Sequence, residues 1–342
     1  MLRSGILTYR LRHVGWRHVI GAVTAAFAFT LSSTTNAAEA KPRSVLEVLR
    51  SIQAAAHDLD YAGVYAYQQG ATLSASRIVH IVDGTGERER IEILDGTPRE
   101  YIRHNDVTRY LIPERKTVLI EKRGSDRFPG LILGDGANIP EHYELVEGKV
   151  LGRVAGRECN IYELLPRDEH RYGYWLCADR KTGLLLKTQT ISPNKEVLNQ
   201  ISFTEIVLGD QASPEQLATG FNTKDWTVVE TTMMPVELAK KGWRIPAPSG
   251  YVRVNEVNRS LRGQRQVNQL VMSDGLAAIS VFIEPYTEGE AELSEGAFTR
   301  GSMNVFRTHI GNHWLTALGE VPPDTLRQIA ESTEYVPLAT QR

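Results

Sequence analysis

Apolar and polar residues alternate along much of the chain between residues 61 and 122, which is the pattern of β-strands with one buried face. Two Asp-Gly pairs, Asp83-Gly84 and Asp95-Gly96, interrupt the alternation, and such pairs between apolar runs are a strong hairpin signal. The strand before the first turn has Ser76, Ile78, His80 and Val82 on one face and Arg77, Val79 and Ile81 on the other. This composition favours an antiparallel sheet that is covered on one side only.

Strand-like runs recur at intervals of about ten residues, the spacing of a meandering sheet or open barrel. The first group is predicted at residues 63–68, 74–82, 88–94, 99–103, 107–112 and 117–122. After a break at residues 128–133, a second group is predicted at 141–146, 149–154, 157–165, 172–178, 184–191 and 197–208, with a turn at 181–183. Together they predict one long, curved antiparallel sheet.

A helix is predicted before the sheet, from Ser44 to Leu59. Ser44 and Glu47 have the spacing of a capping box, in which each side chain accepts a hydrogen bond from the other residue's backbone N–H. One apolar stripe follows at helical spacing: Val45, Leu49, Ile52, Ala56 and Leu59. We therefore expect this helix to lie across the sheet.

The composition changes at residues 209–224, which are polar and include Gly, Pro, Ser and Asn, as in a linker. We expect this linker to let the flanking domains, residues 41–208 and 225–342, shift relative to each other. In the second domain a short helix over Pro235–Lys241 should end at Gly242, and a terminal helix should start at residues 322–324, with Leu326 and Ile329 inward. Strands are predicted at 251–258, 264–272, 276–284, 303–310 and 313–321, which makes a small α+β domain.

Residues 1–40 have the parts of a secretory signal peptide: a basic start, an uncharged run over residues 19–31, and small residues with cleavage options after Ala38 or Ala40. Without this segment the chain has 35 Lys and Arg against 40 Asp and Glu. An acidic balance argues against nucleic acid as a partner.

Several short motifs carry a resemblance to a known family. RIVH, VDG, ERER, LDG and PREYIR follow one another between residues 77 and 103, and SDGLAAISVFIEP (273–285) and GEVPPDTLRQIA (319–330) lie far downstream. In this order they resemble the MucB/RseB family, over nearly all of the chain that follows the signal segment. The resemblance implies a LolA/LolB-like open antiparallel β-barrel with a helix across it, plus a smaller α+β C-terminal domain. The predicted fold class is therefore α+β, mainly β.

The resemblance also implies a periplasmic negative regulator of the sigma-E envelope stress response. Such a protein would bind the periplasmic segment of a membrane-spanning anti-sigma factor of the RseA/MucA type and shield it from proteolysis. Lipid or lipoprotein acyl chains would release it. The alternative function is a periplasmic lipoprotein or lipid carrier of the LolA type, which the N-terminal domain alone would suggest. Self-association into a homo-oligomer stays open.

The two cysteines, Cys159 and Cys177, flank a turn centred on Asp168, so a hairpin folded there would place them opposite each other. Opposed positions approach disulfide distance, and the periplasm is oxidising. A disulfide is predicted; the alternative is two buried free thiols.

The sequence lacks the nucleophile, zinc-protease and nucleotide-binding motifs that mark common enzyme classes, which predicts a binding protein, no catalytic residue and no cofactor. His309 and His313 could pair on a metal if helical, but residues 311–312 between them read as a turn, so separate strands and no metal are expected. The charged cluster at residues 87–92 could be a docking face, or cross-strand ion pairs on a solvated face.

Two sets of apolar residues are binding candidates. A lipid cavity walled by residues 61–122 and closed by the first helix would be lined by Tyr65, Tyr67, Ile78, Tyr101, Tyr110, Leu131, Ile132 and Leu133, which could equally be ordinary core. Partner-binding candidates in the small domain are Met233, Met234, Trp243, Phe282, Tyr286 and Trp314. Several of these must be core, and only one or two should touch the partner.

Overall fold

The computed structural model describes residues 43–122, 128–230, 233–261, 265–286, 294–300 and 302–337. The predicted signal segment, residues 1–40, lies outside the described residues. The described part belongs to one compact unit that starts at Arg43. No helix in the described ranges has both the length and the apolar character to cross a membrane.

The first helix, α1 (Val45–Asp58), begins with the predicted capping box. Ser44 Oγ accepts a hydrogen bond from the Glu47 N–H (3.2 Å), and Glu47 Oε2 accepts one from the Ser44 N–H (2.7 Å). Its apolar stripe is buried in the main core of the large sheet, with Leu49 fully inaccessible. The predicted helix across the sheet is confirmed.

The large sheet contains most of the strands that the alternation predicts. They are β1 (Tyr61–Gln69), β2 (Thr72–Asp83), β3 (Gly86–Ile93), β4 (Arg99–His104), β5 (Val107–Ile112), β6 (Thr117–Lys122), β7 (Tyr143–Glu147), β8 (Gly152–Val154), β9 (Arg157–Pro166), β10 (Gly173–Asp179), β11 (Leu185–Ile191) and β12 (Val197–Leu208). A one-turn helix, α2 (Ile139–His142), precedes β7. The order β6-β5-β4-β3-β2-β1-β12-β11-β10-β9-β7 is antiparallel throughout, and the two ends of the described sheet do not meet. The predicted open antiparallel sheet is confirmed.

The remaining elements are β13 (Thr227–Glu230), β14 (Met233–Pro235), β15 (Trp243–Arg244), β16 (Val252–Leu261), β17 (Arg265–Ser273), β18 (Ala278–Pro285), β19 (Gly296–Arg300), β20 (Met303–Ile310), β21 (His313–Gly319), α3 (Pro323–Glu331) and β22 (Glu334–Tyr335). The second sheet has the order β14-β16-β17-β18-β21-β20-β19. Leu326 and Ile329 of α3 pack in its core, as predicted. The predicted helix over Pro235–Lys241 is only a 3-10 turn, Leu238–Lys241, because Pro235 pairs within β14; Gly242 ends it at φ 88°.

The segment at residues 209–221, here called the strap, crosses the outer face of the large sheet. Ala212 and Leu217 pack there against Val79 and Ile81 of β2, which are 0% and 3% exposed. The prediction of a sheet covered on one side only is therefore wrong for β2, because the strap buries its second face. Whether the residues that form the strap also let the domains shift stays a prediction.

After the strap, β13 adds to the edge of the large sheet. Residues 227–230 pair in parallel with residues 117–120 of β6. A segment that begins the predicted small domain thus hydrogen-bonds to the large one. The domain boundaries at residues 208 and 225 stay a prediction.

The predicted disulfide between Cys159 and Cys177 is present, with a Cα–Cα distance of 5.3 Å. The cysteines do not face each other directly, however, because Cys159 lies opposite Asp179 and Cys177 opposite Ile161. The bond therefore joins diagonal neighbours on β9 and β10. In this register Leu164 lies opposite Tyr174, so the hairpin is centred on Glu169, the residue after the predicted centre.

Candidate functional site

The turn between β17 and β18 carries the SDG motif, and its side chains stabilise the turn itself. Asp274 Oδ1 accepts from the N–H groups of Leu276 (2.9 Å) and Ala277 (2.8 Å), and Ser273 Oγ donates to the Ala277 carbonyl (2.8 Å). Gly275 has φ 99° and a Cβ there would lie 2.8 Å from Ile139, so glycine is required on both counts. The turn therefore presents Asp274 Oδ2 to the large domain in a fixed position.

Arg171 of the large domain meets this carboxylate. Its Nη1 donates to Asp274 Oδ2 (2.7 Å), and both side chains are 0% exposed. The Tyr143 hydroxyl donates to the same oxygen (3.0 Å), while Arg171 Nε donates to Asp168 Oδ1 (2.8 Å). The guanidinium lies over the rings of Tyr143 (5.7 Å) and Tyr251 (5.1 Å). We call these five residues the domain junction.

Burial and pairing act against each other on the charges of the domain junction. Burial alone would raise the pKa of Asp168, but the hydrogen bonds from Arg171 and from the His170 N–H outweigh it, so the pKa lies below its ordinary value. For Arg171 the signs are reversed: burial alone would lower its pKa. The carboxylates of Asp168 and Asp274 outweigh burial and raise the pKa above its ordinary value. The junction thus holds a charged, fully paired arginine between the two domains.

A second set of polar contacts joins the domains. Ser302, 1% exposed, accepts from Asn199 Nδ2 (2.7 Å) and donates to Glu320 Oε1 (2.7 Å). Close by, Asn304 Nδ2 donates to the Tyr172 hydroxyl (3.1 Å). Two separate buried networks therefore fix how the small sheet meets the large one.

A groove with a volume of about 1060 Å³ opens beside the domain junction. Its walls are β9, β10, the turn after β11 and the exposed side of α3, so both domains contribute. Apolar side chains such as Leu165, Trp175 and Ile191 alternate there with carboxylates such as Glu163 and Glu331. We refer to this feature as the groove.

Five of the eight predicted lipid-cavity residues belong to the main core of the large sheet or pack against it: Tyr65, Ile78, Tyr101, Leu131 and Ile132. Tyr65 packs edge-on against Phe128 (5.5 Å between ring centroids) and Tyr101 against Tyr110 (5.2 Å). Ile78 and Ile132 are core, at 0% and 4% exposed, whereas Tyr65, Tyr67, Tyr101, Tyr110, Leu131 and Leu133 are half-buried. None of the eight lines the groove. Their role as a lipid site stays a prediction.

The predicted partner-binding residues divide into core and surface. Trp243 and Trp314 are 3% and 5% exposed and belong to the folded interior. Met234 and Tyr286 are 56% and 44% exposed, and Met233 and Phe282 are half-buried. Exposure therefore leaves Met234 and Tyr286 as the most accessible members of this set.

The charged cluster at residues 87–92 forms the cross-strand ion pairs that were one of its two interpretations. Glu87 accepts from Arg103 (2.8 Å), and Arg90 donates to Glu100 (2.6 Å), which is 2% exposed. The strap partly covers the face that carries Arg90, because the Gln216 carbonyl accepts a hydrogen bond from it. His309 and His313 lie on β20 and β21, as expected.

The sequence did not reveal the domain junction or the groove. The available signal was the SDG motif, whose Asp-Gly pair indicates a turn but does not say what the carboxylate meets. Its partner Arg171 stands 103 residues earlier, near the midpoint between the two cysteines, and no motif marks it.

Comparison with known proteins accounts for both domains. The MucB/RseB N-terminal domain family matches residues 44–221, and the MucB/RseB C-terminal domain family matches residues 237–334. The sigma factor AlgU regulatory protein MucB of Pseudomonas aeruginosa is 28% identical over 279 residues, which are 80% of this chain and 85% of that protein. The sigma-E factor regulatory protein RseB of Haemophilus influenzae is 21% identical over 318 residues, covering 89% and 95% of the two chains.

Solved structures agree with these relatives. MucB in complex with MucA(peri) is 27% identical, with a TM-score of 0.66, and the match covers 86% of this chain and 98% of that one. A second MucA/MucB complex, from Pseudomonas aeruginosa, matches with a TM-score of 0.67 at the same identity. Because the two family matches together span most of the sequence, this chain belongs to the MucB/RseB family.

Proposed function

We propose that this protein is a periplasmic negative regulator of the sigma-E envelope stress response. It binds the periplasmic segment of a membrane-spanning anti-sigma factor and shields that segment from proteolysis. The observation that carries the proposal is the match to MucB solved in complex with MucA(peri), which extends over 98% of that chain and includes both domains.

The domain junction supports a binding surface that needs both domains. Arg171 and Asp274 are buried and paired across the interface, so the docked arrangement is a defined structure rather than two tethered units. The groove has walls from both domains, so neither domain alone would present it.

Shielding is tested with the whole mature chain, the purified periplasmic segment of the cognate anti-sigma factor, and a soluble protease. We expect the protein to slow cleavage of the segment at concentrations above the dissociation constant of the complex. The reason is that a bound segment cannot enter the active site of the protease. A segment of the same composition in scrambled order serves as the control and should be cleaved at an unchanged rate. Equal cleavage of the true segment with and without the protein contradicts the proposal.

The proposal also includes release of the anti-sigma segment by lipid. The acyl chain would bind among the predicted cavity residues of the large sheet. Gln53 of α1 accepts from the N–H groups of Leu131 (2.8 Å) and Ile132 (3.0 Å), so one helix side chain holds the 131–133 segment against the predicted cavity residues. An acyl chain that enters there gains about 0.8 kcal/mol for each CH₂ that it buries. To enter, the acyl chain must displace side chains such as Tyr65, Tyr101 and Leu131, which pack against the main core.

Leu131→Asp is expected to weaken binding of a fluorescent fatty-acid probe at least about tenfold, because a carboxylate at a half-buried position opposes apolar insertion. Fluorescence titration measures the effect. Val150→Asp is the matched control, since Val150 is 72% exposed and lies outside the predicted cavity. Equal probe affinity for both variants would argue against a lipid site here.

A further inference from the structure

A short loop protrudes from the far edge of the large sheet. This edge loop, residues 148–152, joins β7 to β8, and both strands pair with β9. Its first N–H donates to the Ile161 carbonyl (2.8 Å), and its last residue lies opposite Cys159. Residues 149–151 thus face a single residue of β9, so the chain must bulge outwards between these two contacts.

Two glycines fix the base of the edge loop. A Cβ at Gly148 would lie 2.9 Å from the Cβ of Ile161, and a Cβ at Gly152 would lie 2.9 Å from the Cys159 sulfur. Only glycine allows the backbone to approach its neighbours so closely. The loop therefore stands on a closely packed base at both of its ends.

The tip of the edge loop is apolar and exposed. Val150 is 72% exposed, more than any other large apolar side chain in the described ranges, and Leu151 is 45% exposed. Val146, near the end of β7, adds a third exposed apolar side chain. Contact between these side chains and water is unfavourable, so a surface that covers them gains free energy.

Three exposed cations lie around this tip. Lys149 and Arg153 are its neighbours in sequence, and Lys181 lies in the turn between β10 and β11. That turn is adjacent, because the Arg180 N–H donates to the carbonyl of Glu158 (3.0 Å), the residue opposite Arg153. None of the three cations forms an ion pair within the described residues. This corner is therefore positive on a chain whose net charge is −2.

A pocket of about 440 Å³ lies between the β8–β9 turn and the β10–β11 turn. Its two carboxylates, Glu158 and Asp179, each pair with an arginine, at 3.1 and 2.6 Å. Lys181 adds a cation that these pairs do not compensate. The pocket thus has the charge to receive an anionic group such as a phosphodiester.

An anionic bilayer fits this corner better than a protein partner does. A standard protein interface buries about 800 Å² on each partner and is enriched in aromatic residues, whereas the edge loop offers a few aliphatic side chains on a protruding tip. Binding at a membrane surface combines a small buried apolar area with Lys and Arg beside it. Each such cation strengthens binding to an anionic surface about fivefold.

We propose that the edge loop docks the protein on the surface of a bilayer that contains anionic phospholipid. Val150 and Leu151 enter the interfacial region, while Lys149, Arg153 and Lys181 lie beside phosphate groups. The inference needs only these residues and stands apart from the proposed function. If the proposed function also holds, docking would keep the protein at the surface from which a membrane-spanning anti-sigma factor presents its periplasmic segment.

The test is flotation of the whole mature chain with vesicles of phosphatidylcholine, alone or mixed in equal parts with phosphatidylglycerol. We expect binding to the mixed vesicles, and we expect it to weaken as salt is added, because salt screens exposed charges. The cation variant Lys149→Gln/Arg153→Gln/Lys181→Gln should weaken this binding about a hundredfold, at about fivefold for each cation.

The control for the cation variant is Lys116→Gln/Lys122→Gln/Lys224→Gln. It removes three exposed cations outside the edge loop and the two turns, and it should bind the mixed vesicles like wild type. An equal loss of binding in both variants would reveal a general charge effect and would overturn the edge loop as the docking site.

The tip variant Val150→Asp/Leu151→Asp should weaken binding to the mixed vesicles more than about tenfold, since carboxylates oppose entry into an anionic, apolar interface. Leu73→Asp/Val197→Asp is the matched control, because these side chains are 66% and 50% exposed and lie outside the edge loop. Melting temperatures close to that of wild type would show that both variants are folded.

The outcomes separate this inference from the proposed function. Shielding of the anti-sigma segment is measured without vesicles, so it should persist in the cation and tip variants. Failure of wild type to bind the mixed vesicles, or equal binding to neutral vesicles, overturns the inference. If Leu131→Asp abolishes vesicle binding while the cation and tip variants retain it, lipid enters the predicted cavity and the inference is overturned.

Discussion

Asp274→Ala is expected to lower the free energy of unfolding by about 3 kcal/mol or more, because it removes one of the two carboxylates that pair with the buried Arg171 guanidinium. The change also removes the acceptor of the Leu276 and Ala277 N–H groups, which adds to the loss. Urea denaturation followed by tryptophan fluorescence measures the change. Because the junction joins the domains, we also expect the transition to broaden or split in two.

The control for this prediction is Asp324→Ala. Asp324 also pairs with an arginine, Arg327, but its side chain is 83% exposed, and exposed pairs contribute only about 0–1 kcal/mol. Arg171→Met should resemble Asp274→Ala, since it leaves the Asp274 carboxylate buried with Tyr143 as its remaining side-chain donor. A loss for Asp274→Ala no larger than that for Asp324→Ala would show that the junction is open to water in solution.

Removing the disulfide by the double change Cys159→Ala/Cys177→Ala is expected to cost about 3 kcal/mol, since the bond closes a short loop and restricts the unfolded chain. Both cysteines are 0% exposed, so reductant should act on the native protein only as it opens. Thiol labelling of denatured protein from the periplasm checks the bond directly. Two labelled cysteines in the absence of reductant would contradict it, and a reduced, denatured sample provides the fully labelled control.

Local patterns predicted most of the elements correctly. The strands from β1 to β6 follow from alternation and turn residues, and α1 starts where the Ser44–Glu47 pair places it. The terminal helix α3 also begins at the predicted prolines. These features depend on residues within a few positions of each other, so the sequence carries their signals in one place.

Packing between distant segments changed the other expectations. The strap is polar in composition, yet Ala212 and Leu217 bury the outer face of β2. The diagonal disulfide depends on the register of one hairpin, which is centred on Glu169 and not on the midpoint between the cysteines. Two apolar residues in a polar stretch are too weak a pattern to predict that the strap packs on the sheet. A register that differs by two residues leaves no local signal in the sequence.

The sequence by itself determined most of the secondary structure of this protein and its resemblance to the MucB/RseB family. The tertiary structure decided the two features that the sequence did not reveal. These are the domain junction, which joins the domains, and the groove beside it. Arg171 and Asp274 are 103 residues apart, and each looks like an ordinary charged residue in a turn. Only folding brings them to 2.7 Å in a site without water access, where each charge is stable because the other is present. The groove exists for the same reason, since its walls come from two domains that local patterns describe separately.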